Sequence, residues 1–92
     1  MKVKLFATFR DICNDNKVVE VPTTEDSTVM DILEALIRLY PGLEEEVFTQ
    51  ERTLKPFVHV FINGRNVLHE EGLLTKVKSD DQFALFPPVA GG

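Results

Sequence analysis

The 92-residue chain is 43% hydrophobic and 27% charged, the composition of one small domain with room for a single core and little room for a deep substrate cleft. Ten Lys and Arg against fifteen Asp and Glu leave a net charge of −5, which argues against a nucleic-acid footprint and favours docking on a basic protein surface. The lone Cys13 cannot form an internal disulfide, no apolar run reaches membrane-spanning length, and the N-terminus lacks a signal-peptide stretch. A cytoplasmic chain with no membrane or nucleic-acid partner is therefore expected.

Residues 2–8 alternate, with Val3, Leu5 and Ala7 on one face and Lys2, Lys4, Phe6 and Thr8 on the other, which predicts a strand with one buried face. Asn14-Asp15-Asn16 is a turn signal, and the β-branched residues 17–21 complete a hairpin. Val29, Ile32, Leu33, Leu36, Ile37 and Tyr40 form one stripe of a 3.6-residue period, predicting a helix over 28–40. Thr28 and Asp31 have capping-box spacing, and Pro41-Gly42 stops the helix. Leu43, Val47 and Phe48 suit a short helical turn with Glu44, Glu45 and Glu46 outward, followed by a loop over 50–56. Residues 57–62 read as a strand, Asn63-Gly64 as a tight turn, 65–68 as a brief strand, Asp80-Asp81 as a turn and 82–86 as the last strand. This order predicts an α+β chain of the β-grasp (ubiquitin-like) class. A mixed four- to five-stranded sheet with one main helix packed across it forms a domain over 1–86, and an extended tail spans 87–92. The right-handed crossover rule makes the first and last strands central neighbours.

Catalytic constellations are not found. His69-Glu70-Glu71-Gly72-Leu73 begins like a zinc-protease helix, but Leu73 stands where the second His belongs. His59 and His69 read as ordinary imidazoles, and Cys13, with no activating neighbour, as a structural thiol. The acidic runs 44–46 and 70–71 read as solvated faces, with partner docking as the sharper alternative. No catalytic residue, metal or bound cofactor is expected.

The C-terminus carries the chemical signal. Average Gly usage is about 7%, so a chance Gly-Gly pair at the last two positions has a probability of roughly 0.5%. Pro87 and Pro88 forbid helix and keep the chain extended, while Gly91 and Gly92 remove side-chain bulk. The expected product is a stiff stem, mobile from Pro88 on, whose thin tip brings a carboxylate into another protein's nucleotide site; the alternative is a disordered tail with chance glycines.

Strand alternation also predicts a contact surface. With Val3 and Leu5, Val58, Val60 and Ile62, and Phe83 and Leu85 facing the helix, Phe6, His59, Phe61, Ala84 and Phe86 face away. Phe6, Phe61, Ala84 and Phe86 then form one exposed apolar patch that leads into the stem Pro87, Pro88, Val89 and Ala90, the mark of an interface. The alternative is that loop 43–56 covers one or two of these rings.

The ending Leu85-Phe86-Pro87-Pro88-Val89-Ala90-Gly91-Gly92 resembles the C-terminus of the MoaD/ThiS sulfur carriers, which the archaeal ubiquitin-like small modifier proteins (SAMP) share. Lys4-Leu5-Phe6-Ala7 with Arg10, Thr28-Val29-x-Asp31, Ile62-Asn63-Gly64 and the archaeal-like Leu43-Glu-Glu-Glu-Val47-Phe48 extend the resemblance over nearly the whole chain. Ser79-Asp80-Asp81 departs from the family, which often has Gly-Asp at this turn. The resemblance implies that an adenylyltransferase of the MoeB/ThiF type uses ATP to adenylate the Gly92 carboxylate. Sulfur then gives a thiocarboxylate for molybdopterin cofactor biosynthesis, with the molybdopterin synthase large subunit as partner, or for tRNA thiolation. In the modifier branch the activated carboxyl is joined to lysines of target proteins. It further implies that Phe6 and Phe86 contact the partner. A β-grasp interaction domain without C-terminal chemistry is the alternative.

Overall fold

Strand β1 (Lys2–Leu5) shows the pattern that organises the sheet: Val3 and Leu5 are fully buried while Lys2 and Lys4 stay in water. The computed structural model describes residues 1–88; Val89, Ala90, Gly91 and Gly92, with the extended and mobile conformation expected of them, lie outside the described residues. Strands β2 (Val18–Glu20), β3 (His59–Ile62), β4 (Arg65–Asn66) and β5 (Phe83–Phe86) complete a five-stranded mixed sheet in the order β2-β1-β5-β3-β4. The first and last strands are the central parallel pair, with Lys4 beside Ala84 and Leu5 beside Leu85; every other pairing is antiparallel.

Helix α1 (Thr8–Ile12) was not expected. The predicted first strand of 2–8 ends at Leu5, because Ala7 adopts φ 52° and turns the chain away from the ladder. Ala7 is consequently exposed rather than inward, and Phe9 takes the buried place. The Arg10 guanidinium reaches back to donate to the Leu5 carbonyl from Nε at 3.4 Å and Nη2 at 3.2 Å, occupying the strand's terminal acceptor.

Helix α2 (Val29–Leu39) starts as its sequence dictates. Thr28 accepts from the Asp31 amide, and Asp31 Oδ2 accepts from the Thr28 amide at 3.0 Å, so two of the orphan donors are satisfied. Val29, Ile32, Leu33 and Leu36 are buried in one core with Val3, Leu5, Val60, Phe83 and Leu85, each contributing about 1.5–3 kcal/mol of burial. Pro41 opens a 3-10 turn, Pro41–Leu43, that leads into α3 (Glu44–Val47), where Leu43, Val47 and Phe48 face the core and Glu44–Glu46 face water as expected.

The following loop is held by Arg52, which lies 4.6 Å over the Phe48 ring and pairs with Glu34 of α2 and Glu44 of α3. Strand β3 begins two residues later than the sequence suggests, since Phe57 takes φ 69° and is 73% exposed. Ile62, expected inside, is only half-buried. Asn63 and Gly64 both have positive φ, the geometry of a two-residue hairpin turn, and join Ile62 to its partner Arg65. The brief strand predicted over 65–68 stops at Asn66, whose side chain accepts from the Leu68 amide and starts a 3-10 turn, Val67–His69. Among the described residues no helix is long and apolar enough to cross a membrane.

Candidate docking face and tail root

The pleat that sends Leu5, Val60, Phe83 and Leu85 inward sends their neighbours to the opposite face. In β5 the burial alternates, Phe83 and Leu85 buried, Ala84 and Phe86 half-buried. The register sets Phe61 across from Ala84 and His59 across from Phe86. On the other side, Phe6 follows Leu5, whose partner Leu85 precedes Phe86. Three strands thus bring Phe6, Phe61 and Phe86 together: Phe6 stacks on Phe86 with ring centroids 4.3 Å apart and planes 9° apart, and Phe61 meets Phe86 edge-on at 5.3 Å. Such pairs hold the rings in fixed orientations, worth about 0.5–1.5 kcal/mol each beyond burial.

The rings are a ridge between two hollows. One, of about 290 Å³, lies towards the β3–β4 turn and is bounded by Lys4, Gly64, Gln82 and Ala84 together with the three rings. The other, of about 420 Å³, is lined by Phe6, Ala7, Thr8, His59, Phe61, Phe86, Pro87 and Pro88. No residue of 43–56 lines either hollow, so the alternative in which that loop covers the rings does not hold. The groove lining contains no Asp, Glu, Lys or Arg side chain; the acid run Glu44–Glu46 lies on α3.

Four of the eight residues expected to contact a partner, Phe6, Phe61, Ala84 and Phe86, are thereby brought together as a half-buried apolar face. Pro88, the last described residue, is exposed and lines the groove, whereas Pro87 is buried. Val89 and Ala90 and the pair Gly91 and Gly92 lie outside the described residues. Sequence reasoning assigned no role to Ala7, Thr8 or His59. Alternation already placed His59 on the outer face, but nothing in the sequence signals the left-handed φ of Ala7 that folds Thr8 over the groove.

The remaining candidates are silent. Cys13 is fully buried, and desolvation pushes its thiol up to about 11, so it is not a nucleophile at neutral pH. His69 is exposed at the end of a 3-10 turn. Among the described residues no cluster of three His, Cys, Asp or Glu side chains could hold a metal.

A β-grasp sheet with an aromatic outer face at the root of a C-terminal stem defines the class of ubiquitin-like carrier and modifier proteins. The ThiS family model matches residues 3–92, and the chain belongs to that family. It is 37% identical over 92 residues to small archaeal modifier protein 3 of Haloferax volcanii, covering 100% of this chain and 98% of that one. The crystal structure of SAMP1 from the same organism superposes with a TM-score of 0.88 at 36% identity, covering 100% of this chain and 98% of the other. A chain of the BexX/CysO complex of Amycolatopsis orientalis superposes with a TM-score of 0.86 at 27% identity, covering 99% and 98%. The protein is a ubiquitin-like member of the sulfur-carrier and modifier class, and not an enzyme.

Proposed function

We propose that this protein works through the carboxylate of Gly92, which a MoeB/ThiF-type adenylyltransferase activates with ATP. A carboxylate oxygen attacks the α-phosphorus, pyrophosphate leaves, and an acyl-adenylate forms. A poor leaving group has then been exchanged for a good one. The terminal sulfur of a persulfide can displace AMP to give an acyl disulfide. A second thiol then reduces its S–S bond, leaving a thiocarboxylate on Gly92 and a disulfide on the donor, with the molybdopterin synthase large subunit or the tRNA-thiolation machinery downstream. Alternatively, the amine of a target lysine displaces AMP and leaves an isopeptide. The modifier names among the relatives support the second outcome, and membership of the ThiS family the first. The catalytic groups belong to the partner; this chain supplies the acid, the stem and the surface on which the partner sits.

The observation that carries the reading is the aromatic ridge running into the exposed Pro88. A half-exposed cluster of three Phe rings costs solubility unless it is covered part of the time, and the cluster lines the same hollow as Pro88, the last described residue before the Gly-Gly end. A structural neighbour solved as a two-protein complex supports a partner-bound working state. The test is pyrophosphate release by the cognate activating enzyme with ATP. The intact chain is expected to stimulate it, and a chain lacking Gly91 and Gly92, folded to the same thermal midpoint, to give none. Equal stimulation by the truncated chain would refute the reading and leave an interaction domain without C-terminal chemistry.

A further inference from the structure

We propose that His59 is a specificity-determining hydrogen-bond donor of the docking face, and that the partner segment seated in the groove carries an acceptor oxygen beside an apolar side chain. The inference deepens the reading above and rests on it. It starts from Asn66, seven residues on and next to His59 across the β3–β4 hairpin. The Asn66 side-chain oxygen accepts from the Leu68 amide at 2.9 Å. The orientation of the carboxamide is therefore fixed, and its NH2 group is the end that meets His59 Nδ1 at 3.3 Å. An NH2 group only donates, so Nδ1 must be the acceptor and the neutral ring carries its proton on Nε2.

Among the described residues no group accepts from Nε2, and no buried side-chain nitrogen or oxygen is left without a partner. Among the described residues, Nε2–H of the half-buried ring consequently has no protein acceptor and is not sealed from water. His59 itself lines a mostly apolar groove whose other walls are Phe6, Ala7, Thr8, Phe61, Phe86 and two prolines. A partner that filled the groove with apolar atoms alone would strip the water from Nε2–H and leave it unsatisfied, which weakens binding. A backbone carbonyl, amide or carboxylate oxygen beside the apolar side chain avoids that loss. The groove thus discriminates among apolar segments by a donor of fixed orientation, whereas the Thr8 hydroxyl on its wall can rotate.

Two measurements test this on the full chain. Long-range proton–nitrogen spectra of the wild-type imidazole are expected to show the Nε2–H tautomer; the Nδ1–H tautomer would overturn the proposal without any mutation. In titrations with the activating enzyme, His59→Phe is expected to weaken binding at least tenfold although it makes the groove more apolar. His59→Gln, which retains an amide donor, is expected to stay within about threefold of wild type, since 1.4 kcal/mol corresponds to tenfold. His59→Phe binding as tightly as wild type overturns the proposal while leaving the docking reading intact. Failure of the wild-type chain to bind the enzyme overturns the reading on which it rests.

Discussion

Leu85 and Phe86 are successive residues of one strand, and they belong to two different surfaces. Leu85, with Val3, Leu5, Val60 and Phe83, is fully buried under α2; Phe86, with Phe6, Phe61 and Ala84, is half-buried on the other side of the same sheet. The inner face has completed its burial in the free chain, so its side chains determine whether the chain folds. Among the described residues the outer face retains accessible apolar area, of the kind a second molecule covers. Because a pleat separates the two at every step, each face can be altered with little effect on the other.

That separation can be broken experimentally. The largest stability effect is expected at the inner face: Leu85→Ala should lower the unfolding free energy in denaturant titration by about 2–5 kcal/mol, enough to unfold much of a domain this small. Phe86→Ala should remove the stack on Phe6 and the edge contact with Phe61. It is expected to cost about 1–2 kcal/mol of stability but about 2 kcal/mol or more of partner binding, a loss of roughly thirtyfold in calorimetry. Thr28→Ala, on neither face, should cost about 1 kcal/mol through the lost cap and leave partner affinity unchanged. The effect that vanishes at neutral pH concerns Cys13, whose thiol is pushed from 9.0 to about 11 by desolvation. Between those values the unfolded chain releases a proton that the folded chain keeps. Stability is therefore unaffected below pH 9 and falls as the pH rises through about 11. Cys13→Ala should flatten that slope in pH-dependent unfolding, and the wild-type thiol should react slowly with thiol reagents in the native state.

The two faces were also unequally legible. The α2 stripe and the period-two strands are long-range repetitions of simple spacing, and both the core and the aromatic patch follow from them. Helix α1 is five residues long, too short to display a period, and it begins at an Ala in a backbone region where Gly is the usual signal. The early stop of β4 depends on one side-chain hydrogen bond, Asn66 to the Leu68 amide. The same carboxamide makes His59 a fixed donor, which is a three-dimensional coincidence of two strands that no local pattern encodes. The Gly-Gly ending was conspicuous as composition, but only the ridge of rings leading to Pro88 gives it a surface to work from.

The most direct measurement is the intact mass of the full chain after incubation with its activating enzyme, ATP and a sulfur donor. An exchange of one oxygen for sulfur, confined to the C-terminal peptide and lost with Gly92, is the predicted result. An unchanged mass in a mixture where the same enzyme demonstrably activates another carrier, together with the absence of any isopeptide between Gly92 and a target lysine, would contradict the account.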